Sequence, residues 1–104
     1  MTDGFQKVAR VGEIAPGTAR CVFVNGEAVA LANVEGTFYA IGDTCSHAEA
    51  SLSDGEIYED TIMCPLHGAE FSLKTGKALT LPAFEPVPAF EVRVEDDDIL
   101  VKAR

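Results

Sequence analysis

Apolar and polar positions along this chain alternate over short runs and nowhere sustain the three-to-four spacing of a long amphipathic helix. The runs are rich in Val, Ile, Phe and Tyr, and Gly, Pro, Asn or Asp interrupts them about every eight to twelve residues. That pattern predicts an all-β chain. Residues 5–11 read as the first strand and 12–17 as a turn. Residues 18–24 form the second strand, and Asn25-Gly26 is a strong type I′ hairpin turn. Residues 27–34 pair back, Glu35-Gly36 turns again, and 37–41 form the next strand. This meander is expected to be a rigid floor for whatever loops it carries. Residues 57–60 and 61–63 read as a short strand pair, 70–73 as a strand and 74–77 as its turn. Residues 78–88 contain Pro82, Pro86 and Pro88 and read as an extended loop laid across the body. The last hairpin runs from 89–94 through the acidic turn Glu95-Asp96-Asp97-Asp98 to 99–101, with Phe90, Val92 and Val94 expected on one buried face.

Composition narrows the class. The 104 residues suffice for one domain, and 47% hydrophobic residues exclude a disordered chain. No apolar run approaches the ~20 residues of a membrane helix. Met1-Thr2-Asp3-Gly4-Phe5 has no basic region followed by an apolar one, so a cytoplasmic location is expected. The net charge of −9 disfavours nucleic acid and anionic membrane surfaces, which want clustered Lys and Arg. It allows steering toward a basic partner surface, with plain solubility as the simpler explanation.

The chemistry is concentrated in two boxes, Cys45-Ser46-His47 and Cys64-Pro65-Leu66-His67. Both histidines of the chain and two of its three cysteines lie there. Each box offers one thiolate and one imidazole, so two loops folded against each other would assemble the set. One tetrahedral zinc could use two Cys and two His, although zinc fingers usually pair Cys with Cys and His with His. A [2Fe–2S] cluster with Cys on one iron and His on the other uses the same four residues. Pro65 fixes φ directly after one ligand, and Gly68 frees the backbone after the other. Cys21 is left over and reads as a small buried hydrophobe on a strand. Ala48 to Gly55 reads as a loop of small residues that also carries Glu49, the acidic side chain nearest the boxes.

The two boxes, Cys-Pro-x-His-Gly, the Thr75-Gly76 turn, the proline loop and the final hairpin resemble the Rieske family, over essentially the whole chain. The likeness is greatest to the small Rieske ferredoxins of bacterial multicomponent aromatic-ring dioxygenases. It implies an antiparallel β-sandwich with a cluster-binding part made by two loops. A single domain over 1–104 is expected, with a base at about 1–42 and 74–104 and the cluster-binding part at about 43–73. It further implies that Cys45 and Cys64 bind the inner iron, that His47 and His67 bind the outer iron, and that the loop near Leu81-Pro82-Ala83 covers a third side. The implied role is one-electron transfer from a flavin-dependent reductase to a terminal oxygenase, by a monomer that is not itself a catalyst. A small subunit of another oxidoreductase, such as nitrite reductase, and a zinc-stabilised interaction module remain the alternatives. The chain departs from many relatives in having Ala48-Glu49-Ala50 where glycine often follows the first histidine. High-potential relatives carry a serine and a tyrosine where this chain has Ala69 and Phe71. They also carry a disulfide clamp, for which Ala50 and Leu66 supply no sulfur.

Overall fold

The computed structural model describes residues 4–44, 50–66, 68–80 and 85–103. Among these residues ten strands form three antiparallel sheets: β1 Phe5–Arg10, β2 Thr18–Val24, β3 Glu27–Val34, β4 Thr37–Gly42, β5 Ile57–Tyr58, β6 Thr61–Met63, β7 Glu70–Ser72, β8 Ala89–Phe90, β9 Val92–Glu95 and β10 Asp98–Lys102. The first sheet has the order β1-β10-β9, the second β2-β3-β4-β8 and the third β5-β6-β7. Antiparallel sheets were expected, and antiparallel sheets are what the described residues form.

The turns follow from local chemistry. Asn25 and Gly26 both have positive φ, 52° and 82°, as a type I′ turn requires. Glu35 and Gly36 repeat the geometry at 51° and 92°. The hairpins therefore close in two residues each, with registers Val24↔Glu27 and Val34↔Thr37. The first strand stops at Arg10 rather than at Val11, because Val11–Glu13 winds into a 3-10 turn that Glu13 holds by accepting from the Arg10 N–H at 2.8 Å.

The second sheet is the middle layer. Val22, Val24, Val29, Leu31, Phe38, Ala40 and Phe90 face one way and pack with Ala9, Ile99 and Val101 of the first sheet. Ala30, Ala32 and Ile41 face the other way and pack with Leu52, Ile62, Cys64, Ala69, Phe71, Leu73 and Val87. Alternate side chains of a strand point to opposite faces, so β3 is buried on both. Alanines on the second face let the loop-bearing third sheet approach closely.

Three expectations need correction. Cys21 lies on β2 but is exposed, because β2 is the edge of its sheet and the alternation buries Val22 and Val24 instead. The segment 89–94 is not one strand. It breaks at Glu91, so that β8 pairs with β4 while β9 pairs with β10. Val94, expected inside, is exposed, since β9 is also an edge strand and Val94 stands beside its terminal turn.

Asn33 is the buried polar residue that ties the base together. Its Nδ2 donates to the Ile14 carbonyl at 2.7 Å, and its Oδ1 accepts from the Gly36 N–H at 2.8 Å. Its backbone carbonyl accepts from the Gly17 N–H at 2.8 Å. Asn33→Ala strands the buried Ile14 carbonyl and loosens the 35–36 turn, at a cost of about 1–3 kcal/mol. Urea unfolding should show a lower midpoint with an unchanged slope, and an unchanged midpoint would remove Asn33 from this role.

Candidate metal centre

Of the four Cys and His residues in the two boxes, Cys64 lies within the described residues, and Cys45, His47 and His67 lie outside them. The same holds for Ala48, Glu49 and residues 81–84. Among the described residues no three His, Cys, Asp or Glu side chains gather at one point, which leaves the assembly of the four as an expectation.

Cys64 directly follows β6, is 1% exposed and makes no disulfide. Its N–H donates to the Ala69 carbonyl at 2.7 Å, and its own carbonyl accepts from the Gly68 N–H at 3.0 Å. Gly68 has φ +75°, which a side chain would disfavour. These bonds close residues 64–69 into a tight loop, with Pro65 fixing the exit from Cys64. The loop tip presents Leu66 at 58% exposure, an apolar side chain next in sequence to His67. A cavity of about 350 Å³ opens beside Cys64, lined by Gly55, Glu56, Met63, Pro65 and Gly68.

The other half of the site is framed by the ends of the first loop. Thr44 and Ser51 form an isolated antiparallel bridge, so the chain leaves and returns at one place. Asp43, almost fully buried, accepts from the Leu52 N–H through its carbonyl at 2.6 Å. Its carboxylate accepts from the Ser53 N–H at 2.9 Å and from the Ser51 hydroxyl. The sequence reading passed over Asp43, Ser51 and Ser53. An Asp two residues before Cys45, with serines eight and ten residues later, is a faint signal, although Asp and Ser are the residues that habitually bond local backbone. Cys21 reaches this network from β2. Partial burial, then the Asp43 carboxylate that it hydrogen-bonds, push its thiol above the usual cysteine value.

The proline-rich segment is held at its described end. Val87 N–H donates to the Gly76 carbonyl and Gly42 N–H to the Pro88 carbonyl, both at 2.8 Å. Residues 78–80 are not a free loop. Ala78 bridges Phe71, and Leu79 N–H donates to the Glu70 carbonyl at 2.8 Å, extending the third sheet by a ragged edge.

The chain matches the Rieske [2Fe-2S] domain over residues 4–91. It is 55% identical over 74 residues to the 3-phenylpropionate/cinnamic acid dioxygenase ferredoxin subunit of Escherichia coli (strain K12), covering 70% of each chain. In structure it resembles the ferredoxin of carbazole 1,9a-dioxygenase from Nocardioides aromaticivorans IC177, with a TM-score of 0.92, 35% identity and coverage of 96% of this chain and 98% of that one. It also resembles a chain from the complex of reduced oxygenase and oxidized ferredoxin in carbazole 1,9a-dioxygenase, with a TM-score of 0.89, 37% identity and coverage of 97% and 94%.

Gly55 sets the approach of the 52–55 turn to β6. A Cβ there would fall 1.7 Å from the Met63 carbonyl oxygen and 3.2 Å from that of Leu52. Backbone cannot yield as a flexible side chain does, so Gly55→Ala displaces Met63 and with it Cys64. Overpacking of this kind costs about 1–3 kcal/mol. The expected result is a lower thermal midpoint together with less bound metal per chain. Gly12→Ala, where a Cβ meets nothing within 4 Å, should change neither.

Proposed function

Because this chain belongs to the Rieske [2Fe-2S] domain family, we propose that Cys45 and Cys64 hold one iron through thiolates and that His47 and His67 hold the other through imidazole nitrogens. The protein is an electron-carrying ferredoxin with a Rieske-type [2Fe–2S] cluster, not a catalyst by itself. We propose further that it works in the cytoplasm as a monomer. It takes electrons from a flavin-dependent reductase and passes them to the terminal oxygenase of an aromatic-ring dioxygenase. Selection of the aromatic substrate then belongs to the oxygenase. Residues 1–104 act as one domain in this reading, with a base at about 1–42 and 74–104 and the cluster-binding part at about 43–73.

The described residues fit such a cluster. Cys64 is a buried thiol without a disulfide, on a tight loop with a cavity beside it, and soft thiolates are what iron–sulfur clusters require. Bound there, the group supplies reversible one-electron redox chemistry. The chain's own contribution is threefold. The 64–69 loop buries the Cys64 thiol. Four protein ligands complete both irons and leave no position for substrate. The exposed Leu66 offers an apolar contact beside the proposed His67 ligand. The observation that carries the reading is that buried Cys64 opens the second box on a chain matched along nearly its whole length by dioxygenase ferredoxins.

The test is substitution of each ligand in turn. His47→Ala or His67→Ala should abolish the Rieske-type visible and paramagnetic resonance spectra or alter them grossly, whereas Cys21→Ala should retain both. Spectra untouched by either histidine change would overturn the assignment, and a colourless, zinc-loaded protein would replace it with the structural-module reading.

The potential of the cluster should be low. Rieske centres span roughly −150 to +300 mV, set in part by hydrogen bonds to sulfur and by exposure. Ala69 and Phe71 are fully buried in the same cluster of side chains as Cys64, and neither has a hydroxyl to donate. Fewer donors stabilise the extra electron less. A one-electron shift of 59 mV is a tenfold change in equilibrium, so Ala69→Ser and Phe71→Tyr should each raise the potential by roughly tens of millivolts. Voltammetry on the parent and both variants decides it. A parent potential well above zero, or no rise in either variant with the cluster intact, would sink the argument.

A further inference from the structure

The buried carboxylate of Asp43 stands two residues before Cys45 and holds both ends of the first loop at once. We propose that Asp43 is a positioning residue for the electron-transfer centre. It closes the first ligand loop, and its fixed negative charge holds the reduction potential down. The inference rests on the reading above in which Cys45 and His47 are ligands.

Four observations carry it. Asp43 is 5% exposed, and with Asn33 it is one of two buried polar residues among those described. Its hydrogen bonds run across the loop rather than along it, to the Leu52 N–H, the Ser53 N–H and the Ser51 hydroxyl. Ser51 and Ser53 are themselves joined, Oγ to Oγ at 2.9 Å, and Thr44 bridges Ser51, so the return strand is fixed to the outgoing one. Asp43 N–H donates in turn to the Ala28 carbonyl at 3.1 Å, which anchors the clamp to β3.

The charge is the second half of the argument. The four ion pairs among the described residues join Lys7 to Asp98, Arg20 to Glu13, Lys74 to Asp60 and Arg93 to Glu95. None reaches Asp43. Its described donors, Ser51, Ser53 and the Cys21 thiol, are all neutral. A negative charge out of water, with no cation among the described residues to offset it, acts over a longer range than a surface charge. Adding an electron near it is therefore less favourable. Loosening the loop and losing the charge are separable effects, because Asp43→Asn removes the charge, whereas Ser51→Ala loosens the loop and leaves the charge in place.

The experiment is voltammetry and paramagnetic resonance on the cluster-loaded protein at one pH and ionic strength. Asp43→Asn keeps the shape and removes the charge. Its reduction equilibrium should move about tenfold toward the reduced form, 59 mV upward for one electron. Asp43→Glu restores the charge and should return the potential most of the way to the parent value, even with a poorer clamp. Ser51→Ala removes one neutral donor and leaves the carboxylate less compensated. It should lower the thermal midpoint and move the potential downward, about two- to threefold in equilibrium. If Asp43→Asn fails to hold the cluster, Asp43→Glu and Ser51→Ala still decide. A potential for Asp43→Glu that departs as far from the parent as a tenfold change, or a rise in potential for Ser51→Ala, overturns the proposal. An Asp43→Asn protein with parental potential and spectrum overturns it too, and leaves Asp43 as a clamp alone. A His47→Ala protein that keeps the parental spectrum would instead overturn the ligand assignment beneath it, so the two failures are distinguishable.

Discussion

The constraint on which this molecule depends is the two-sided burial of β3. Val29, Ala30, Leu31 and Ala32 are all fully shielded from solvent, so a single strand contributes to both cores. A strand with one wet face can slip its register at the cost of exposing that set of side chains. A strand buried on both faces has no tolerated slip of one residue, because large and small side chains would exchange sides. Leu31 and Val29 fill the space against the first sheet, whereas Ala30 and Ala32 leave room for Phe71, Leu52 and Ile62. The distance between the base and the third sheet is thus written into alternate alanines.

From that layer the position of the site follows. Ile62 and Phe71 pair across β6 and β7 and both pack on the second core, which fixes the strand that ends at Cys64. Ala28 and Asp43, joined through the backbone, fix the start of the other loop on the same layer. Both Cys/His boxes therefore spring from residues whose placement is decided by packing. Rigid support under small loops is what a redox centre needs, since little rearrangement then accompanies the electron.

Much of this was legible in the residues. Asn25-Gly26 announced its turn because only a few residue types accept positive φ in succession, and the strand limits 18–24 and 27–34 followed from it. The two Cys/His boxes announced chemistry by residue type alone. Other features depend on what lies across the fold. Cys21 reads as apolar and strand-bound, yet its exposure is decided by β2 being an edge. The break at Glu91 is invisible in an alternating run, because it arises from two sheets competing for one segment. The Asp43 clamp was illegible for a similar reason: its partners are common serines and backbone groups, brought together only when the loop closes.

Among the described residues, charge and exposed apolar surface lie in different places. The net charge of −9 is spread over the chain, with exposed acids at Glu59, at Glu95 at the end of β9, and at Asp96 and Asp97 in the turn that follows it. Such charge acts at distances up to about 8 Å at physiological ionic strength, enough to orient an approaching basic surface but not to hold it. The tip of the second loop ends instead in Leu66, whose exposed apolar side chain costs little to desolvate against a partner. In the proposed role, a carrier that binds one protein, lets go and binds another would gain from this division. Long-range charge would then raise the frequency of encounter, and a small apolar contact beside the proposed His67 ligand would keep each complex brief.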